Sequence, residues 1–384
     1  MARGVGVSQG FSLKDHLFNA ESMADLAAEY AAGIPGFDAE GFQAEAVAGF
    51  PERELMERME WIADCIEKRL APDFPTMADQ LEAAMPPALD PTRKDDDFGR
   101  FIHAVPGILA VRHGLEDHRD RSFDLLHAAT QRFSMEFYIR PFLNRWPEET
   151  FARLEDWAQD ENYHVRRLVS EGTRPKLPWA KKIDIDPLAP LPLLAQLHSD
   201  PTRYVTRSVA NHLNDISKID TDLVVQHLTA WQAKGAQAAK ELDWMTRHAL
   251  RTAVKAGHPD ALALLGFAAD APVSVVSLSV GGDQIAIGDA LSVAVTLQTD
   301  AKQPVPVLVD YVLTFHRPDG KTGQKVFKLK QGKLPAGGRL DLTKKHPLKA
   351  NASTFKLHPG PHRLAVQVNG QKHAEVAFDL VDAG

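Results

Sequence analysis

The sequence predicts a mainly α-helical protein in which a HEAT-like α-helical solenoid is followed by a small all-β, immunoglobulin-like sandwich. Three observations support this fold class: helical spacing of apolar residues up to about residue 268, a weak 40-residue repeat within that part, and strand-like alternation from residue 271 onward. At 384 residues the chain is long enough for two domains that each bury a core. We therefore predict a helical domain at 1–268 and a β-domain at 271–384.

The helical domain shows the three- and four-residue apolar spacing of amphipathic helices. In "ELMERMEWIADCIEKRL", one helix face would carry Leu55, Met59, Ile62, Ile66 and Leu70. Dipeptides that contain proline interrupt this pattern and divide it into short helices.

A period of 40 residues relates three of these helices. "YHVRRLVSEG" at 163–172 aligns with "RYVTRSVANH" at 203–212, and a further step reaches "LDWMTRHALRTAVKAG". The repeat places Arg167, Arg207 and Arg247 in one equivalent position. In a HEAT-like solenoid one helix of each pair lines the concave face, so these arginines would lie along it. The alternative is that three helices share valine and arginine by chance.

The β-domain is predicted from alternating apolar residues in segments such as "LSVAVTLQT" and "HRLAVQVNG". Turn signals separate these segments, namely "GGDQ", "RPDGKTG", "PAGG" and "HPGP". A domain of roughly 110 residues with this pattern is typical of an immunoglobulin-like sandwich.

Composition and charge exclude several classes of protein. No apolar run approaches the roughly 20 residues of a membrane span, and the first residues lack the apolar core of a signal peptide. The single cysteine, Cys65, cannot form an intramolecular disulfide, so we expect a cytoplasmic protein. The net charge of −7 argues against non-specific coating of nucleic acid. The β-domain nevertheless carries 14 basic and 9 acidic residues, which permits contact with a polyanion.

Familiar nucleotide, metalloprotease and serine hydrolase motifs are absent, and the sixteen histidines are scattered, so we predict no metal site. Three adjacent aspartates in "RKDDDFGRF" (93–101) could suggest a cation site. Such a run more often caps a helix and places favourable charge at its start, and we interpret it in that way.

Two glutamates are candidates for chemistry. Glu136, in "RFSMEFYIRPFL", has apolar neighbours that would desolvate its carboxylate, and Arg140 follows four residues later. Glu171 has Arg167 one turn before it. For both glutamates the ordinary explanation is an i, i+4 ion pair, which contributes a few tenths of a kcal/mol.

The segment "VRRLVSEGTRPKLPW" (165–179) favours a second explanation for Glu171. The 40-residue repeat places asparagine and then arginine in its position, so the repeat does not require glutamate there. Glycine and proline after Glu171 would end the helix and turn Arg174 and Trp179 toward that end. An indole face and a carboxylate both attract positive charge, which suits an alkylated base or an oxocarbenium-like sugar. A core position for Trp179 is the alternative.

"SMEFYIRPFL", "VRRLVSEGTRPKLPW" and "YVTRSVANHLNDISK", in this order and spacing, resemble the AlkC family of bacterial DNA alkylation repair glycosylases. "KDDDFG" and "FSLKDHLFN" are also similar to that family, so the resemblance covers most of residues 10–268. Family members are HEAT-like solenoids, and some carry an appended immunoglobulin-like domain. The resemblance therefore implies the same two-part architecture as the apolar pattern.

The resemblance also implies an activity, namely hydrolysis of the N-glycosidic bond of cationic bases such as 3-methylcytosine and 3-methyladenine in duplex DNA, without a deep base-flipping pocket. It places the catalytic carboxylates on Glu136 and Glu171 and the stacking aromatic on Trp179. Lys176 stands where many relatives have arginine, which puts a bidentate phosphate contact in doubt. A wider set of residues is predicted to contact DNA: Arg140, Arg167, Arg174, Arg207, Asn211 and Arg247. No cofactor or metal is implied, and we expect a monomer in the bacterial cytosol or nucleoid.

In the expected mechanism, Glu171 stabilises the sugar cation and orients water, and Glu136 assists it. The main alternative function is a non-catalytic HEAT-repeat scaffold that binds DNA or protein, because a fold alone does not specify an activity. For the β-domain we expect DNA contact through its lysines. A solvated sheet edge or a protein-binding surface would explain the same lysines.

Overall fold

The computed structural model describes residues 12–95, 97–318, 320–350 and 356–382. They form two compact units. One comprises the described residues up to Ile216 together with Lys234–His248, and the other comprises Ser217–Ala233 and the described residues from Ala249 onward. Within the described ranges, no helix has both the length and the apolar content that crossing a bilayer requires. The division of the chain into separate domains at 1–268 and 271–384 stays a prediction.

The helices, in chain order, are α1 (Leu13–Leu17), α2 (Ala20–Gly33), α3 (Ala39–Ala48), α4 (Leu55–Glu67), α5 (Phe74–Ala83), α6 (Val105–Leu109), α7 (Arg119–Thr130), α8 (Ile139–Arg145), α9 (Pro147–Trp157), α10 (Tyr163–Gly172), α11 (Leu191–Leu197), α12 (Arg203–Ile216), α13 (Thr221–Lys234), α14 (Ala239–Ala249), α15 (Arg251–Ala256) and α16 (Pro259–Leu264). A short 3₁₀ turn at Phe101–Ala104 precedes α6, and a π-helical turn at Ala110–Gly114 follows it. The predicted mainly helical N-terminal part is confirmed.

Helix α4 shows how apolar spacing specifies the helical core. Met59, Ile62 and Ile66 are at most 2% exposed, as the predicted face requires. Leu55 and Leu70 are only half-buried, because they lie at and beyond the ends of the helix.

Helices α10 and α12, which the 40-residue repeat predicted as equivalent, pack against each other. Asn162 begins α10 by accepting a hydrogen bond from the backbone N–H of His164 at 2.8 Å. Gly172 ends α10 where the helix approaches α8, because a Cβ there would lie 2.4 Å from Cγ2 of Ile139. The glycine therefore permits close packing in addition to ending the helix.

The described aspartates of the stretch before the 3₁₀ turn, Asp95 and Asp97, do not occupy its N-cap position, so the capping interpretation was wrong for them. Arg100 occupies the N-cap position and makes no side-chain cap hydrogen bond. The stretch instead contacts α12: the backbone carbonyl of Lys94 accepts a hydrogen bond from the N–H of Tyr204 at 3.0 Å. Oδ2 of Asp97 lies 3.7 Å from Nη1 of Arg93 in an ion pair. Asp96 is outside the described residues.

The strands form the second part of the predicted fold: β1 (Ser274–Val280), β2 (Gln284–Ala286), β3 (Ala290–Gln298), β4 (Val305–His316), β5 (Thr322–Leu334), β6 (Arg339–Pro347), β7 (Gly360–Val368) and β8 (Gln371–Val381). They make a three-stranded sheet in the order β1-β3-β6 and a five-stranded sheet in the order β2-β8-β7-β4-β5. All pairs are antiparallel except β2 with β8.

The sandwich core lies between the two sheets, where inward residues alternate along each strand. From β3 it receives Val293 and Val295, and from β4 it receives Val309 and Leu313. The predicted turn segment "PAGG" lies between β5 and β6, and the described residues of the other three extend into the first residues of β2, β5 and β7. An Asn-Gly turn in which both residues have positive φ joins β7 to β8. The immunoglobulin-like sandwich is thus confirmed.

Candidate active site

Glu171 lies in the last turn of α10 and is 6% exposed. Its Oε1 accepts a hydrogen bond from Nη1 of Arg174 at 2.6 Å, and its Oε2 accepts one from Oγ of Ser208 at 2.6 Å. Nη2 of Arg167 is 3.8 Å from Oε2. The expected pair between Arg167 and Glu171 therefore exists, but Arg174 and Ser208 hold the carboxylate more closely.

Glu136 lies in a turn three residues before α8. Its Oε2 accepts hydrogen bonds from Oγ of Ser134 and Nη1 of Arg167, each at 2.6 Å. No other described residue donates to this carboxylate, so its Oε1 is available, and the side chain is 16% exposed. The prediction that Glu136 pairs with Arg140 was wrong, because Glu136 is outside the helix and the i, i+4 geometry does not apply.

Two arginines join three carboxylates into one chain of ion pairs, which we call the carboxylate cluster: Glu136, Arg167, Glu171, Arg174 and Asp215. Arg167 lies between Glu136 and Glu171, and Arg174 lies between Glu171 and Asp215. Nε and Nη2 of Arg174 donate to Oδ2 of Asp215 at 3.1 and 2.9 Å. Each guanidinium of this chain is thus shared between two carboxylates, and Glu171 is shared between two guanidinium groups.

The cluster keeps Glu171 ionised. Burial acts to raise the pKa of Glu171, but the charges of Arg167 and Arg174 and the hydrogen bond from Ser208 outweigh it and lower the pKa well below its usual range. Burial acts to lower the pKa of Arg167, and Glu136 and Glu171 reverse that shift. A permanently charged carboxylate in a shielded place can act on a nearby cation far more strongly than it would in water.

Arg140 supports the backbone around Glu171. It is 1% exposed, and its guanidinium donates to the carbonyls of Gly172 and Arg174 at 2.9 Å and of Lys181 at 2.7 Å. Burial, with Arg174 beside it, lowers the pKa of Arg140 to about 10. This burial argues against the expected DNA contact. Arg140 instead joins the end of α10 to the loop that follows.

Trp179 occupies a strained and exposed position in that loop. The N–H of Ala180 donates to the carbonyl of Leu177 at 3.3 Å across Pro178 and Trp179, and Trp179 has a φ of 64°. These are the features of a type II turn, whose third position favours glycine. The indole is 67% exposed and makes no ring or cation contact with a described residue, so the core alternative is wrong.

The arginines and the lysines of 161–182 differ in their exposure to solvent. Arg167 and Arg174 are about 5% exposed and paired with carboxylates, which argues against the expected phosphate contacts. The exposed basic residues are the lysines beside Trp179, namely Lys176, Lys181 and Lys182. Arginine suits a buried fork-shaped ion pair, and lysine keeps its strongly hydrated ammonium in water. This preference explains the division.

The remaining predicted DNA contacts lie on α12 and α14. Arg207 pairs with Asp95 of the aspartate-rich stretch. Oδ1 of Asn211 is 2.9 Å from Nε2 of His248. Arg247 pairs with Asp243 at 2.9 Å and is exposed. A DNA role for these three residues stays a prediction.

Sequence reasoning missed Asp215, which belongs to the cluster, and Ser134 and Ser208, which donate hydrogen bonds to its glutamates. They belong to no recognisable motif, and two come from a different helix than Glu171. The 40-residue repeat offered one signal, because Ser208 stands where α10 has the apolar Leu168. Within the described ranges, no group of side chains is suited to hold a metal ion.

Comparisons with known proteins agree with this architecture. Residues 132–256 match the family described as DNA alkylation repair enzyme, and residues 274–382 match the C-terminal Ig-like domain of uncharacterised protein YhaZ. The uncharacterized protein YhaZ of Bacillus subtilis is 30% identical over 372 residues, which cover 95% of this chain and 98% of that protein.

A solved structure gives the corresponding likeness in three dimensions. It is that of the alkylpurine DNA glycosylase AlkC of Pseudomonas fluorescens, bound to DNA containing an abasic site analog. It matches with a TM-score of 0.84 and 33% sequence identity, covering 97% of this chain and all of that one. Together with the helical repeats and the appended sandwich, these likenesses show that the chain belongs to the AlkC family of DNA alkylation repair proteins.

Proposed function

We propose that the protein is a DNA glycosylase of base excision repair that hydrolyses the N-glycosidic bond of cationic N-methylated bases in duplex DNA. The proposed substrates are 3-methylcytosine and 3-methyladenine. The observation that supports this proposal most strongly is the carboxylate cluster, which keeps Glu171 ionised although it is buried. Family membership and the likeness to an alkylpurine DNA glycosylase support alkylated bases as the general class of substrate.

The proposed reaction needs water and no other reactant. The bond between the base nitrogen and C1′ breaks, and its electron pair returns to the positively charged base, which leaves neutral. The deoxyribose becomes an oxocarbenium-like cation that a carboxylate stabilises electrostatically. Water then adds to C1′ and loses a proton to a carboxylate, leaving an abasic site.

The two glutamates take different parts in this proposal. Both oxygens of Glu171 already accept hydrogen bonds from Arg174 and Ser208, which fixes the carboxylate as a stationary negative charge. Glu136 has one oxygen, Oε1, to which no described residue donates, and that oxygen can orient water and accept its proton. This assignment reverses the expectation from sequence, in which Glu171 oriented the water.

Contact with DNA is proposed for the exposed loop after α10. Trp179 would contact the deoxyribose beside the lesion, and Lys176, Lys181 and Lys182 would lie near flanking phosphates. Because the indole is displayed on a surface turn, we propose that the lesion is recognised without a deep pocket. The proposed enzyme acts as a monomer on chromosomal DNA, which places it in the bacterial cytosol.

A further DNA contact is proposed for the sandwich. Strand β5 exposes Lys328, Lys330 and Lys333, and the sequence from residue 271 onward has a net charge of +5. Replacing these three lysines by glutamine should reduce the slope of log affinity against log salt by about 0.9 for each phosphate that the protein no longer neutralises. An unchanged slope would favour the alternatives of a solvated edge or a protein-binding surface.

The activity is tested by incubating the purified protein with methylated duplex DNA and identifying the released bases. We expect release of 3-methylcytosine or 3-methyladenine by the wild type and strong losses in Glu136→Gln and Glu171→Gln. Both variants should still bind DNA that contains an abasic site. Binding without any release by the wild type would favour the non-catalytic scaffold.

A further inference from the structure

Ser208 contacts Glu171 from the neighbouring helix α12, at the interface between α10 and α12. Its side chain is 2% exposed, and its Oγ lies 2.6 Å from Oε2 of Glu171 and 2.9 Å from Oγ of Ser170. A buried serine inside a helix commonly donates to the carbonyl one turn before it. Ser208 instead donates across the helix interface to a carboxylate.

The direction of each hydrogen bond follows from the ionised state of Glu171. A carboxylate only accepts, so the single hydroxyl hydrogen of Ser208 must point toward Oε2. Ser170 must therefore donate to Ser208. The backbone carbonyl of Ser170 in turn lies 3.0 Å from Nδ1 of His212, a fully buried side chain on α12. The two hydroxyl groups form a directed pair that ends on Glu171.

The fold alone does not require a hydroxyl group at this position. The 40-residue alignment places Leu168, a fully buried apolar residue, opposite Ser208, so the repeat does not require a hydroxyl group there. A serine in a dry interface needs hydrogen-bond partners, and here its partners are Glu171 and Ser170. The presence of a hydroxyl group at this position is explained by the carboxylate it holds.

We infer that Ser208 is a positioning residue that fixes the orientation and charge of the Glu171 carboxylate during base excision. This inference rests on the proposed glycosylase activity. Arg174 fixes Oε1 from the loop after α10 and Ser208 fixes Oε2 from α12, so the carboxylate plane is held from two segments. Without Ser208 the carboxylate can rotate about its terminal torsion, which is soft, and its charge is no longer held in one place.

Several other titratable groups act around Glu171 and determine what a pH profile reports: Glu136, Arg140, Arg167, Arg174, Tyr204, His212 and Asp215. The hydrogen bond from Ser208 is among the causes that lower the pKa of Glu171. Its loss should therefore raise that pKa toward the ordinary range. The arginines are unchanged by the substitution, so any shift in the acid limb reports the hydroxyl group.

The experiment compares wild type, Ser208→Ala and Ser208→Thr in single-turnover release of 3-methyladenine from methylated duplex DNA between about pH 4.5 and 8. We expect Ser208→Ala to lower the maximal rate by about 10- to 100-fold, with little change in affinity for abasic DNA. The wild type should show no acid limb from Glu171 in this range, because the pKa of Glu171 lies well below it, and in Ser208→Ala that limb should approach the acid end of the range. Ser208→Thr keeps the hydroxyl group and should restore most of the rate.

Ser122→Ala is the matched control, because Ser122 is also a fully buried helical serine but donates to the carbonyl of His118 away from the cluster. Ser122→Ala should leave the rate of base release and its pH profile unchanged. A normal rate and acid limb in Ser208→Ala would overturn the inference while leaving the glycosylase proposal intact. Absence of release by the wild type would instead overturn the proposed function and the inference with it.

Discussion

Two buried carboxylates in different parts of the chain have opposite properties. Glu171 in the helical unit is 6% exposed and Asp310 on β4 of the sandwich is 4% exposed. The pKa of Glu171 is lowered, whereas burial raises the pKa of Asp310 to about 6 despite lysines in its vicinity. Glu171 accepts hydrogen bonds from Arg174 and Ser208, but no described residue donates one to the Asp310 side chain. Burial alone favours the neutral acid, and directed donors reverse that preference.

This contrast bears on function. A carboxylate that stays charged in a dry place requires several dedicated partners, and such arrangements are concentrated at catalytic and binding sites. Four side chains from three segments surround the two proposed catalytic glutamates, namely Ser134, Arg167, Arg174 and Ser208. Asp310 lacks such support, and we assign it no part in catalysis.

Glu171→Gln should have the strongest effect, and that effect is on catalysis. Loss of the fixed negative charge should lower the single-turnover rate of base release by about 1000-fold, comparable to removal of a major electrostatic group from other active sites. Asp310→Asn makes the same chemical change at the comparison site and should leave the rate unchanged. Equal rates of base release for wild type and Glu171→Gln would show that Glu171 matters no more to catalysis than Asp310.

The next effect is on stability at neutral pH. Glu171→Gln leaves Arg167 and Arg174 without a central counter-charge, and breaking a buried ion pair in this way lowers the free energy of unfolding by about 3 kcal/mol. Because the folded pKa of Glu171 is lowered, its stabilising contribution is present above its unfolded pKa and is lost as pH falls through the folded value. Urea unfolding at pH 7 and pH 4 should show the difference shrinking at the lower pH.

Asp310 should show the opposite pH dependence. Its folded pKa of about 6 exceeds the ordinary value, so the folded state holds the proton more tightly, and stability is lost as pH rises from about 4 through 6. Relative to its value at pH 4, the unfolding free energy of Asp310→Asn should therefore exceed that of the wild type at pH 7 by about 1 to 3 kcal/mol. Parallel curves of unfolding free energy against pH for the two proteins would show that folding does not raise the pKa of Asp310.

A weaker effect extends the contrast from charge to backbone. Trp179 has a left-handed φ in an exposed turn, a conformation that costs of order 1 kcal/mol for a residue other than glycine. Trp179→Gly should therefore keep or raise the free energy of unfolding by up to about 1 kcal/mol while base release falls. Trp179→Ala, which keeps the strain, separates loss of the indole from relief of the backbone. A large loss of stability in Trp179→Gly would show that the indole is structural.

The sequence predicted the fold well because the fold depends on periodicity. Apolar spacing identified the buried face of α4, and the 40-residue repeat related α10 to α12, two helices that pack together in the structure. Turn signals located the strands of the sandwich. Apolar spacing, the repeat and the turn signals can each be read directly from the sequence of a single chain.

Much less of the site could be predicted. Glu136, Glu171 and Trp179 stood out as residue types, but the partners of the glutamates could not be deduced. Arg167 reaches Glu136 across 31 residues and Ser208 reaches Glu171 across 37, and no spacing rule connects such positions. Helical spacing suggested Arg140 for Glu136, which failed because Glu136 lies in a turn.

The proposed function depends on the buried, ionised carboxylate of Glu171 in a cluster that releases cationic methylated bases from DNA. The most decisive experiment incubates wild type, Glu171→Gln and Asp310→Asn with methylated duplex DNA and identifies and times the released bases by chromatography. We expect release of 3-methyladenine or 3-methylcytosine by wild type and Asp310→Asn at similar rates, and release about 1000-fold slower by Glu171→Gln. Release of neither base by the folded wild type, or equal release by all three proteins, would contradict this mechanism.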